Sequence, residues 1–177
     1  MTTRHVFVDE TKQRGYLMVA ASHDTAGMTA LRATLRGLLL PNQRFLHMKN
    51  ERGGRRRQIA TAIAASGIQA TVYRARPRYA SEKQRREACL RRLVADNADG
   101  VHTRLILDQD DTLLRWDRQR LIEFTRAEDC RSTVRYEHRK GSAESLLAVP
   151  DAIAWCWAKG REWKALVQPV VIGEREV

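Results

Sequence analysis

Two short apolar runs end in aspartate, VFVD at Asp9 and LILD at Asp108. Strand ends are where α/β sheets place their sites, and two adjacent parallel strands would bring both carboxylates to one sheet edge. Repulsion between them is severe unless a cation intervenes. Hard divalent cations take oxygen ligands, so the pair predicts a Mg2+ or Mn2+ site. Two such ions about 4 Å apart activate a water and stabilise the leaving oxygen of a phosphodiester displacement. Either aspartate alone reads better as a turn residue bonding its own backbone, and only the pair points to a metal. Asp110 and Asp111, close behind Asp108, are further site acids, solvated loop acids or the N-cap of the next helix.

Asp151 is a third candidate. It falls in the first turn of a helix, where the dipole favours a carboxylate whatever its role, but the surrounding LLAVPDAIAWCWA is otherwise apolar. A buried charge there needs a partner, and a cation at the strand ends would be one. Glu144, just ahead of the same helix, is a further ligand or a solvated acid. His47 and Lys49 share a face if residues 44–49 (RFLHMK) form a strand. A lone strand histidine is usually structural, but beside a phosphodiester His47 would orient water or protonate the leaving oxygen, with Lys49 or Glu51 tuning the step.

The elements that must position these residues alternate along the chain. Residues 5–9 (HVFVD) and 16–21 (YLMVAA) read as an antiparallel hairpin. Asp24 caps a helix with Met28, Leu31, Leu35, Leu38 and Leu39 inward, ending before Pro41. Residues 44–49 read as a third strand. A helix follows Gly53 and Gly54 and stops at Gly67, and residues 69–73 (QATVY) form a strand. Ser81 and Gln84 make a capping box for a helix packed through Leu90, Leu93 and Val94. Residues 104–108 (RLILD) read as a buried parallel strand, followed by a helix over 112–126, a peripheral strand over 133–137 and a last helix from about Pro150 to Gly160. A hairpin followed by strand–helix alternation implies an α/β fold with a mixed sheet flanked by helices, and 177 residues suit one domain.

Charge points to a polyanion. Lys plus Arg number 32 against 21 acids, a net charge of +11, and 26 of the 32 cations are Arg. Arginine grips phosphate bidentately and stacks on bases, which favours nucleic acid as partner; genomic composition and solubility are the competing account of the surplus. Candidate phosphate contacts are Arg55, Arg56 and Arg57 at a helix start, Lys49, Arg139 and Lys140. His138 reads as a phosphate contact or as nothing. No aromatic platform interleaves with these clusters, so single-strand binding gains no support. Cys89, Cys130 and Cys156 lack metal or disulfide spacing and read as reduced, structural thiols. No apolar run approaches the roughly 20 residues of a membrane span, and no signal peptide opens the chain, so a cytoplasmic protein is expected.

VFVDET, RFLHMK, LILDQDD and ESLLAVPDAIAWCWAKG, in this order and spacing, resemble the bacterial family known as domain of unknown function 3800, related to the ribonuclease H-like superfamily. The resemblance spans nearly the whole chain. It implies a ribonuclease H-like mixed sheet, an antiparallel hairpin followed by parallel strands, with a carboxylate cluster for divalent metal. It carries Asp9, Glu10, His47, Asp108 and Asp151 into the presumed active site. Thr11 stands where the family often has Ser, and Ala148, Val149 and Pro150 replace its usual Gln-Leu-Ala before the final Asp.

The resulting expectation is a metal-dependent nuclease acting on RNA or DNA. A binding module on the same fold that does not cut is the alternative, and an adaptor for an acidic protein partner is a third reading.

Overall fold

The structure is a computed structural model that describes residues 2–177. Strand β1 (Arg4–Thr11) turns into β2 (Leu17–His23) as the expected antiparallel hairpin. Helices α1 (Thr25–Gly37) and α2 (Gly53–Ala64) follow before β3 (Gln69–Arg74) returns antiparallel to β2. Then come α3 (Glu82–Asp96), β4 (Thr103–Asp108), α4 (Leu114–Ala127) and β5 (Val134–Arg139), followed by α5 (Ala148–Lys159), α6 (Arg161–Val167) and β6 (Val171–Glu176). The six strands lie in the order β5-β4-β1-β2-β3-β6, with β4 parallel to β1, β5 parallel to β4 and β6 parallel to β3. This is a mixed α/β sheet flanked by helices, as expected. Among the described residues no helix is long and apolar enough to cross a membrane.

Period-two alternation sorts the central strands into two cores. Phe7 and Ile106 face α1, α2 and α5, together with Leu17, Val19 and Val72. Val6, Val8, Leu105 and Leu107 face α3 and α4. Ten of the twelve residues of α5 are buried, as a helix apolar all round must be. It ends at Gly160, whose φ of 74° is open to glycine at little steric cost. The capping box of α3 is present, Ser81 accepting from the Gln84 N–H. All three cysteines are free and buried, and burial pushes the Cys89 and Cys156 thiols up to about 12, which keeps them protonated at neutral pH.

The segment 44–49 is not a strand. It crosses the α5 side of the sheet as a connection ending in one 3-10 turn, Met48–Asn50. Leu46 and Met48 are buried, which imitates strand alternation, but both edges of β1 are already taken by β2 and β4. The Met48 N–H donates instead to the Asp151 carboxylate at 2.8 Å.

Under the opposite face lies a buried charge network. Arg86 of α3, 1% exposed, donates to both Asp117 oxygens at 2.7 Å, to the Tyr16 hydroxyl at 3.1 Å, and lies 2.9 Å from Glu10. His138 does not face solvent or phosphate: its Nε2 lies 3.1 Å from Asp117. Burial pushes Asp117 up, but its bonds to Arg86 and His138 prevail and hold it below the usual carboxylate range. Replacing Arg86 by Met leaves Asp117 and Glu10 without their cation. A loss of about 3–5 kcal/mol in unfolding free energy is expected, read from urea denaturation, with part of it recovered in Arg86→Met/Asp117→Leu.

Candidate active site at the ends of β1 and β4

Parallel pairing runs from Arg4↔Thr103 to Val8↔Leu107, so Asp9 and Asp108 are the next residues along adjacent strands. Alternation turns both toward α5, on the side of Phe7 and Ile106. From α5, Asp151 points back at the same edge: its Oδ1 lies 3.0 Å from His47 Nδ1 and its Oδ2 accepts from the Met48 N–H. Asp9, Asp108, Asp151 and His47, drawn from four separate segments, therefore gather at one place.

The electrostatics are those of an anionic site. Burial, then repulsion from Glu10, Asp151 and Asp108, holds Asp9 well above the ordinary carboxylate value, against one bond from the Glu10 N–H. Asp108 is raised by burial and by the charges of Glu10 and Asp151, with His47 and Arg86 acting against this only at a distance. His47 is raised in turn, chiefly by its hydrogen bond to Asp151 and against its partial burial.

Other expected site residues lie elsewhere. Glu10 projects to the opposite face, where Arg86 holds it, so it is a neighbour of the acids rather than one of the converging group. Glu144 does not join them: both its oxygens accept from Arg32 at 3.0 Å and it caps the Leu146 N–H. Asp110 accepts from Thr112 and Asp111 pairs with Lys140, so both are loop acids.

Most of the expected phosphate contacts are used internally. Arg55 bonds Glu51 and the Leu38 carbonyl; Arg56 bonds the Met48 and Lys49 carbonyls and lies over Trp155 at 4.6 Å. Arg57 sits over Trp163 and faces Glu162 at 3.7 Å. Arg139 pairs with Glu137 and Lys140 with Asp111. These cations tie α2 and β5 to their surroundings, leaving Lys49 of the six free of such a tie. The sequence reading missed the roles of Arg86, Asp117 and the Met48 N–H. Arg86 was visible in principle, since it falls in phase with Leu90, Leu93 and Val94 on the buried stripe of α3.

As it stands, no group of three or more His, Cys, Asp or Glu among the described residues is arranged to hold a metal ion. The donor chemistry nonetheless suits a hard divalent cation. Asp9 and Asp108 would hold it with oxygens that gain little from protein donors, and Asp151 would join through lone pairs left over from His47 and Met48. No protein-family model matches the chain, and no curated protein matches it.

Two measurements check this electrostatic picture. In chelator, His47 should titrate above 6.5 by imidazole NMR and fall back toward that value in Asp151→Asn. The stabilisation from its protonated form is complete below 6.5 and is lost as pH rises through the higher folded value. Asp9 is raised likewise, so its contribution is full below 3.8 and lost as pH rises through the folded value; at pH 7 it opposes folding. Asp9→Asn should therefore melt above the native chain at pH 7 in chelator, the gap closing as the pH falls toward 3.8. Equal melting at pH 7 would mean that the Asp9 carboxylate is neither penalised by burial nor crowded by its neighbours.

Proposed function

We propose that this protein is a divalent-metal-dependent nucleic-acid phosphodiesterase on a ribonuclease H-like sheet, akin to the domain of unknown function 3800 family. The observation that carries the reading is the side-by-side emergence of Asp9 and Asp108 from paired parallel strands, with Asp151 and His47 turned toward them. An antiparallel hairpin continued by parallel β4 and β5 supports the fold assignment.

Bound Mg2+ or Mn2+ would supply the activated water and the charge to stabilise the leaving oxygen. The chain's residues do the rest. Asp9 and Asp108 set the position of positive charge at the sheet edge. Asp151 accepts at His47 Nδ1, which fixes the ring and leaves Nε2 to hold the proton that a departing oxygen takes up. Because Asp151 raises the His47 pKa, that proton is retained at higher pH than on a free histidine. The surplus of +11 draws the polyanion to the surface.

The competing reading is a nucleic-acid-binding module that does not cut, favoured by the engagement of both Asp151 oxygens with His47 and Met48. A cleavage panel over single- and double-stranded RNA, DNA and hybrids with Mn2+ or Mg2+ decides between them. Metal-dependent cleavage is expected, reduced about 100-fold or more in Asp9→Asn and Asp108→Asn and roughly 100-fold or more in His47→Ala. Binding without cleavage on every substrate would establish the module instead.

A further inference from the structure

The connection that carries His47 also forms one wall of a groove of about 190 Å³, lined on its apolar side by Leu35, Leu39 and Phe45. Taking about 30 Å³ per water, it holds some six waters, room for a flat ring system rather than a folded segment. Phe45 is 40% exposed, unusual for a phenylalanine, and its ring is braced by the backbone at Gly141, where an added Cβ would come within 3.4 Å of it. The groove is also lined by Arg32, Arg36 and Arg44. Arg32 is consumed by Glu144, whereas Arg36 and Arg44 stay free of the ion pairs that absorb Arg32, Arg55 and Arg57.

Two short chain paths join this groove to the acids. Phe45 precedes His47 by two residues, and Ala148, on the groove wall, precedes Asp151 by three on α5. Three helical residues make nearly one turn, so Ala148 and Asp151 share a face of α5.

We propose that this groove seats one unstacked base of a single-stranded nucleic acid, with Arg36 and Arg44 holding the phosphates on either side and the adjoining phosphodiester directed to Asp9 and Asp108. The proposal rests on the nuclease reading for the role of the acids and names that site's substrate class. A base within a duplex has its faces covered by its neighbours, and only an unpaired one presents a face to Phe45. Phenylalanine offers no hydrogen bond, so the seat accepts any base. The guanidiniums of Arg36 and Arg44, with no anionic side chain among the groove-lining residues, complement a phosphate chain.

The test is binding rather than cleavage: anisotropy of a labelled single-stranded 12-mer, of the same oligomer with its bases removed, and of a duplex, all in chelator. The native chain should prefer the single strand with bases over its abasic counterpart. Phe45→Ala should weaken the former about tenfold, leave abasic and duplex binding unchanged and so abolish the preference, while Phe45→Trp should keep it. Arg36→Gln and Arg44→Gln should weaken strands with and without bases alike and each lower the salt slope by about 0.7. Equal binding of abasic and intact strands by the native chain, or displacement of the 12-mer by polyglutamate as readily as by unlabelled oligomer, would overturn the base seat. Because no step depends on metal, the preference can stand if cleavage is never found, and cleavage without the preference removes the seat alone.

Discussion

Parallel pairing of β1 with β4 is the constraint on which the rest depends. Once Val8 pairs with Leu107, the next residue on each strand is an aspartate, and alternation gives both the same face. Their neighbours then have little freedom. Glu10 must go to the other face, and there the fold answers it with a fully buried guanidinium shared with Asp117. The two faces of one sheet edge are thus treated oppositely: below, acids are matched by Arg86; above, Asp9, Asp108 and Asp151 face one another with only a half-exposed histidine among them. A fold selected for stability alone would have placed a cation on the upper side as well, since a nearby opposite charge lowers the carboxylate pKa values that burial and mutual repulsion raise in Asp9 and Asp108. The unanswered side is the feature on which the proposed function rests.

The charge surplus looks different in three dimensions from its appearance as a composition. Arg74, Arg76, Arg92, Arg104 and Arg120 each face a glutamate or aspartate, and Arg56 and Arg57 lie over tryptophans. Exposed pairs of this kind contribute about 0–1 kcal/mol each, so they organise the surface more than they stabilise it. These partners take up charge that the composition alone makes look free. What remains runs from the last turn of α1 along the connection to α2, where Arg36, Arg44, Lys49 and Arg52 flank Phe45 and His47 in sequence. On the proposed reading, a uniform Arg surface would hold nucleic acid in any register, whereas a short free stretch would give it one.

Sequence patterning reached the strands of the hairpin, β3, β4 and β5, the capping box of α3 and the three converging aspartates because each is a local signal: alternation, a cap, or an acid closing an apolar run. It failed where the signal was ambiguous or non-local. RFLHMK alternates in burial like a strand, and nothing in those residues says that β1 has no edge left to offer. Arg56 and Arg57 read as phosphate contacts because their partners, Trp155 and Trp163, are recognised only once α2 is docked, whereas the partner of Arg55, Glu51, lies four residues before it and was read instead as tuning the site. Helix α6 and β6 went unread beyond Gly160, where short, half-exposed elements carry little periodicity. Arg86 and Asp117 were legible in part, as charges standing in the apolar phase of α3 and α4, but their pairing spans 31 positions and leaves no trace in either helix alone.

Asp151 links the acid edge to the groove. Its carboxylate makes two bonds to the connection that carries Phe45, one to His47 Nδ1 and one to the Met48 N–H, and it is also the third acid facing Asp9. Each carboxylate oxygen has two lone pairs, so a cation at the edge can share Asp151 without displacing either bond. Were Asp151 to turn fully to a cation, the connection would lose its attachment to α5, and the groove wall would go with it. A site that keeps both bonds while lending its spare lone pairs holds the positions of the acids, the histidine and the Phe45 ring together. The burial of α5 supports this arrangement: with ten of twelve residues packed, the helix that fixes Asp151 has nowhere to shift.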